Sequence, residues 1–245
     1  MITKKNCTTL ISLMDATCLD DHASEAVITQ LCQLVKSAPT RVASICVYPK
    51  WITFVKNYFK NSPLAITTVI NFPKATLDRQ SMQKHIQAAL QAGADEIDIV
   101  FPYETFDANK PQLTLDYLQS AKADCGDHLL KVIIESGQAP SLEWIEQATL
   151  CVVQSGADFV KTSTGKTPQG ATPEAVKMMA FTLKEAERLC GLKISGGVRT
   201  IEQANQYLDI VQSILGASFI TQKWLRLGAS SLLEACITQL GNEHD

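Results

Sequence analysis

One texture repeats along the chain: a short β-branched run, a stretch with helical spacing, then another β-branched run. The strong runs are VASICVY (42–48), AITTVINF (65–72), EIDIVF (96–101), LLKVIIE (129–135), FVKTST (159–164) and LKIS (192–195), with weaker candidates at LISLMD (10–15) and SFIT (218–221). Successive strong runs start roughly 23 to 33 residues apart, which suits βα units. Eight strands alternating with helices in 245 residues match an α/β (β/α)8 TIM barrel, expected to be a single domain over 1–245. The rival is an open doubly wound sheet, whose G-x-G-x-x-G turn after the first strand is missing.

The intervening segments carry helix signals. Val27, Ile28, Leu31, Leu34 and Val35 form one apolar stripe, and Trp51, Phe54, Val55 and Tyr58 another. Thr172 before Pro173 and Glu174 reads as an N-cap with proline at the first helical position, and Thr200 with Gln203 as a capping box. QAGADEIDIV, QSGADFVKTS and LGASFIT each read as a helix closed by glycine (Gly93, Gly156, Gly216) before a strand.

Charge and cysteine usage narrow the partners. A net charge of −3, from 22 basic and 25 acidic residues, offers no field for nucleic acid or an anionic membrane, so any phosphate must be met by a local site. The N-terminal MITKKNCTTLISLMD has no uninterrupted apolar segment, and no run reaches the length of a membrane span. Eight cysteines are scattered without a C-x-x-C pair, as expected of packed thiols in a reducing cytoplasm.

Four charged residues stand on apolar strands: Asp98 in EIDIVF, Lys131 in LLKVIIE, Lys161 in FVKTST and Lys193 in LKIS. Lysine and aspartate are rarely buried without a partner. One reading is structural: Lys131 or Lys193 pairs with Asp98 or Glu135, or each snorkels out at a strand end. The other is chemical, because strand C-terminal ends build the active site of this fold. An amine attacks a carbonyl only as the free base, and unperturbed lysine has a pKa of about 10.4. Burial and a second cation both disfavour the ammonium form, and moving the pKa to between 7 and 8 takes on the order of 4 kcal/mol. The product is a Schiff-base lysine, with an embedded carboxylate to order water or relay protons.

Glycine-rich turns supply a second signal. TSTGK follows one strand, SGGVRT another, and RLGASS reads as the opening of the last helix. Gly165, Gly196, Gly197 and Gly228 let backbone N–H groups approach an anion. Thr200, Ser230 and Ser231 stand at helix N-termini, and Lys166 and Arg199 add charge. The histidines (His22, His85, His128, His244) are far apart and read as solvated, so no metal site is expected. Cys46 in ASICVYP reads as a packed core thiol rather than a reactive one.

LMDAT, ASICVYP, VINFP, GADEIDIVFPY, KVIIE, GADFVKTSTGK, GATPE, SGGVRT and RLGASS together resemble the deoxyribose-phosphate aldolase family over nearly the whole chain. The pairing of GADFVKTSTGK with SGGVRT is the specific part. The resemblance implies a class I aldolase barrel that reversibly cleaves 2-deoxy-D-ribose 5-phosphate to D-glyceraldehyde 3-phosphate and acetaldehyde without metal or organic cofactor. It implies Lys161 as the Schiff-base nucleophile, Lys193 as the lysine that lowers its pKa, and Asp98 as the acid/base carboxylate. Phosphate is then expected on Gly165, Lys166, Gly196, Gly197, Val198, Arg199, Gly228, Ser230 and Ser231, with Asp15, Cys46 and Thr164 lining the pocket. Two departures stand out: Ile194 follows the second lysine where members often have Pro or Ala, and no tyrosine follows Tyr207, whereas some members end in one that assists proton transfer. The relay is therefore expected to run through Asp98, Lys193 and water. The implied assembly is a monomer or homodimer, the dimer favoured. The alternatives are another Schiff-base aldolase or transaldolase, a silent sugar-phosphate-binding barrel, and a metal-free isomerase needing a Glu or His base.

Overall fold

The computed structural model describes residues 4–62 and 64–242; His244 lies outside them. Eight parallel strands close into a barrel in chain order, each hydrogen-bonded to the next and the last to the first. They are β1 (Met14–Cys18), β2 (Ser44–Val47), β3 (Ala65–Ile70), β4 (Glu96–Val100), β5 (Leu129–Ile133), β6 (Phe159–Lys161), β7 (Gly191–Ser195) and β8 (Leu225–Ala229). Helix α1 (Lys4–Ser12) precedes β1, and α2 (Glu25–Ser37), α3 (Ile52–Tyr58), α4 (Arg79–Ala92), α5 (Gln112–Cys125), α6 (Leu142–Gln154), α7 (Pro173–Glu185), α8 (Ile201–Leu215) and α9 (Ser231–Asn242) follow the strands in turn.

Side-chain alternation splits each strand between two environments. Outward-facing Ile45, Val47, Ile97, Ile99, Leu130, Val132, Val160, Leu192, Ile194, Leu225 and Leu227 join the buried faces of the helices in one apolar cluster. The inward set is largely polar: Asp15, Ser44, Thr67, Glu96, Asp98, Lys131, Lys161, Lys193 and Arg226 are all buried, with Val69, Ile133 and Phe159 in register among them. Barrel interiors of this type are ordinarily filled by branched aliphatics, so the charged interior is a chemical specialisation.

The expected caps form: the Thr172 side chain accepts from the Ala175 N–H, and Thr200 and Gln203 make the reciprocal capping box. Gly93 closes α4 in the left-handed region. Most of the two predicted apolar stripes face inward, although Val27 is exposed. The ends of the barrel differ from expectation. LISLMD contributes the end of α1 and only the start of β1, while SFIT falls in a 3-10 turn, Ala217–Phe219, and the residues after it. The eighth strand is LRLGA, which the sequence reading gave to a helix start; Gly216 after α8 therefore leads into a turn, not a strand. Apolar β-branched residues made SFIT resemble a strand, whereas Arg226 and Gly228 disguised the real one.

The described cysteines are free thiols, and all but Cys18 are buried. Among the described residues no helix is long and apolar enough to cross a membrane, and no cluster of His, Cys, Asp and Glu is suited to hold a metal ion. His22, His85 and His128 are exposed.

Candidate active site

Strand register brings the charged residues together. Asp98 pairs with Lys131 across β4 and β5, Lys161 with Lys193 across β6 and β7, and Lys193 with Arg226 across β7 and β8. Asp98 is the hub. Its Oδ1 accepts from Lys131 Nζ at 3.0 Å, and its Oδ2 from Lys161 Nζ and Lys193 Nζ, both at 2.8 Å. Lys193 also lies 2.5 Å from Asp15 Oδ2, and Lys131 lies 2.6 Å from Glu96 Oε2. Arg226 spans Asp15 Oδ1 at 2.7 Å and Glu96 Oε1 at 2.9 Å. The predicted ion pair of Lys131 with Asp98 is present, whereas Glu135 instead accepts from the Thr164 and Thr167 hydroxyls.

Glycine makes room for this packing. A Cβ on Gly228 would sit 2.7 Å from Ser195 Cβ and 3.3 Å from Lys193 Cε, and one on Gly191 would sit 2.4 Å from the Phe159 ring. That ring in turn lies 5.4 Å from the Arg226 guanidinium carbon.

The three lysines are not equivalent. Burial works against the charged form of each, but Asp15 and Asp98 outweigh it at Lys193, and Asp98, Glu96 and Asp15 outweigh it at Lys131, so both stay above the ordinary lysine value. At Lys161 burial wins: Asp98 opposes it, the Lys193 charge assists it, and the amine falls below the ordinary value. Burial is thus the larger cause and Lys193 the smaller. Asp98 is held far below the usual carboxylate range; burial pushes it up, and Lys131, Lys161 and Lys193 together override that.

Lys161 is also the lysine of this cluster that borders open space. A cavity of about 400 Å³ at the C-terminal end of the strands is lined by Lys161 together with Thr164, Gly165, Lys166, Gly196, Gly197, Val198, Arg199, Gly228 and Ser230. Lys161 is 2% exposed, against 0% for Lys131 and Lys193. Gly165, Gly196 and Gly197 all have positive φ, turning the loops after β6 and β7 around one space. The GAT segment docks on the SGG turn: Ala171 N–H donates to the Gly196 carbonyl at 3.0 Å, and a Cβ on Gly170 would meet that oxygen at 2.1 Å.

Of the residues expected around this space, Asp15 and Cys46 lie beneath it, fully buried among the charges, and Ser231 begins α9 without lining it. Burial raises the Cys46 thiol pKa, which suits packing rather than nucleophilic use. Lys166 reaches the rim, but its ammonium is held by Asp21 at 2.9 Å, and Tyr48 donates to the same carboxylate at 2.6 Å. Sequence reasoning missed Glu96, Arg226 and, in the cavity wall, Thr17 near the end of β1 with Leu19 and Asp20 just after it. Alternation offered a signal for two of them, since Glu96 stands two residues before Asp98, and Arg226 lies between Leu225 and Leu227.

A closed parallel barrel whose strand ends present a desolvated amine beside a glycine-lined cavity defines a barrel enzyme with carbonyl chemistry within its reach. The chain belongs to the DeoC/LacD family of aldolases, whose family model matches residues 9–237. Solved structures agree in fold. A Coccidioides immitis protein assigned as a deoxyribose-phosphate aldolase is 26% identical with a TM-score of 0.81, covering 93% of this chain and 85% of its own. A Toxoplasma gondii ME49 protein with the same assignment is 20% identical with a TM-score of 0.88, covering 99% and 96%. The tetrameric deoxyribose phosphate aldolase of Aeropyrum pernix is 21% identical with a TM-score of 0.76, covering 98% and 97%.

Proposed function

We propose that this aldolase works through a Schiff base on Lys161 and reversibly cleaves 2-deoxy-D-ribose 5-phosphate to D-glyceraldehyde 3-phosphate and acetaldehyde. The observation that carries the reading is the singular position of Lys161: it alone of the three clustered lysines borders the cavity, and it alone has a depressed pKa. The substrate rests on the family and on the names of the similar structures.

In the cleavage direction the neutral Lys161 amine adds to the C1 aldehyde of the open-chain sugar, and loss of water leaves a protonated imine. The C2–C3 bond then breaks, its electron pair entering an enamine, while the C3 hydroxyl proton departs through water beside Asp98 and Lys193. Protonation of the enamine carbon and hydrolysis release acetaldehyde. Asp98 is placed to stabilise the cationic imine, since its Oδ2 already lies 2.8 Å from the Lys161 nitrogen. Lys193, held charged by two carboxylates, keeps the resting amine from taking a proton. The phosphate occupies the glycine turns at 165–166, 196–199 and 228–230, with Ser231 at the start of α9 behind them. A homodimer in a reducing cytoplasm is the working assembly, checked by mass measurement in solution.

The test is borohydride trapping. Acetaldehyde and sodium borohydride should add one ethyl group to the peptide containing Lys161, and Lys161→Met should lose it. An ethyl group on Lys131 or Lys193 with Lys161 unmodified would overturn the assignment.

A further inference from the structure

Arg226 has no part in the chemistry just described, yet it is buried and held by two carboxylates. It lies on β8, 5% exposed, and does not line the cavity. Asp15 of β1 and Glu96 of β4 face it as ion pairs, Phe159 of β6 covers it, and its Nε donates to the Gln222 carbonyl at 2.6 Å. Lys193 of β7 is its register neighbour, and Lys131 of β5 shares Glu96 with it.

The charge count of this ion-paired cluster is uneven; Glu135, whose carboxyl burial pushes up, stands outside it, accepting from the Thr164 and Thr167 hydroxyls and pairing with none of the four cations. Three carboxylates (Asp15, Glu96, Asp98) meet four basic groups (Lys131, Lys161, Lys193, Arg226). A buried cluster is least costly when its charges balance, because an unpaired charge has lost its hydration without compensation. Balance is reached when one basic group is neutral. Arginine cannot be that group; Lys131 and Lys193 each contact three and two carboxylates, whereas Lys161 contacts one, and that one is shared. Without Arg226, three carboxylates would face three lysines, and balance would require Lys161 to be charged.

We propose that Arg226, with Glu96, is a positioning residue that fixes the charge count of the barrel interior, so that Lys161 is the basic group left without an anion of its own. The proposal rests on the reading of Lys161 as the reacting amine. It assigns a role in catalysis to a residue that touches neither substrate nor, through any polar contact, Lys161. The groups that face Lys161 itself are Asp98 on β4, Lys193 on β7 and Cys46 on β2, with Glu135 after β5 feeling its charge. None of these is altered by changing Arg226, so the effect must pass through Asp15, Glu96 and Lys131.

The experiment measures the rate of borohydride trapping of acetaldehyde at Lys161 against pH, with the modified peptide identified in every variant. In Arg226→Met the midpoint should move up by at least about one pH unit, a tenfold loss of trapping at neutral pH. Glu96→Gln, which removes one anion from the same cluster, should move it down. Arg226→Met combined with Glu96→Gln restores the count and should return the midpoint toward that of the unaltered protein. Arg226→Lys should keep the midpoint while weakening the bidentate packing. An unmoved midpoint in Arg226→Met, or a double variant no closer to the unaltered protein than Arg226→Met alone, overturns the proposal. Should Arg226→Met not fold, Glu96→Gln decides it alone: a downward shift supports the charge count and an unmoved midpoint refutes it. Absence of label on Lys161 in the unaltered protein would instead refute the nucleophile assignment, so the two failures are separable.

Discussion

Replacing Lys193 by methionine keeps most of the stem and removes the ammonium that lies 2.5 Å from Asp15 Oδ2 and 2.8 Å from Asp98 Oδ2. Lys161 and Lys193 contact the same oxygen at 2.8 Å each, so their nitrogens are within twice that distance of one another. At about 5 Å and an effective dielectric of about 20, two unit charges repel by about 3 kcal/mol, or about two pH units on the Lys161 titration. Losing Lys193 also leaves Asp15 and Asp98 less neutralised, which favours a proton on Lys161 further. Both contributions have the same sign. The neutral amine is the reactive form, so the trapping rate rises with pH through the Lys161 midpoint. In Lys193→Met that midpoint should rise by two units or more, and the rate at neutral pH should fall on the order of 100-fold. The variant will be less stable, because breaking a buried pair costs about 3 to 5 kcal/mol, so its circular dichroism must show a folded barrel at the assay temperature. A folded variant whose midpoint matches that of the unaltered protein would refute the electrostatic role given to Lys193.

Asp98→Asn removes an anion that holds the Lys161 ammonium, so ethyl trapping at neutral pH should persist while cleavage of the sugar phosphate falls by at least about 100-fold; steady-state and trapping assays on one preparation check this split. Gly228→Ala should cost about 1 to 3 kcal/mol in thermal unfolding and depress turnover, because its new methyl would press on Ser195 and Lys193. Asp21→Asn frees the Lys166 ammonium at the cavity rim and should lower KM for the phosphorylated substrate by a few-fold with little change in kcat. Asp15, Glu96 and Asp98 all have depressed pKa values in the folded protein. The stability they contribute is therefore complete above their unfolded values near 4 and declines as pH falls toward the folded ones. Tm should drop steeply below about pH 4, which calorimetry would show.

Six strands were legible because β-branched runs separated by capped helices leave little choice of architecture, and the Thr172 and Thr200 caps fell where the side chains predicted. The two ends of the barrel were not, for a physical reason. β8 carries Arg226 and Gly228 because the interior needs a guanidinium at one position and empty space at the next inward one. Those needs override strand propensity, which is a statement about packing on an ordinary pleated surface. The charged strand positions brought Asp98, Lys131, Lys161 and Lys193 forward together, and only the family resemblance singled out Lys161, because strand position does not say which amine has the depressed pKa. That depends on how many carboxylates each one meets. Asp15, expected at the cavity, proved to hold Lys193 and Arg226 from below, and Lys166 is already engaged by Asp21. Both outcomes turn on contacts between residues far apart in the chain.

The account stands on the Lys161 amine holding its proton less tightly than an ordinary lysine, and heteronuclear NMR of protein with labelled lysine side chains reads that directly. The resonance assigned by its loss in Lys161→Met should titrate well below the ordinary lysine value of about 10.4, while the resonances of Lys131 and Lys193 remain those of ammonium groups throughout. A Lys161 signal that stays protonated up to that ordinary value would contradict it.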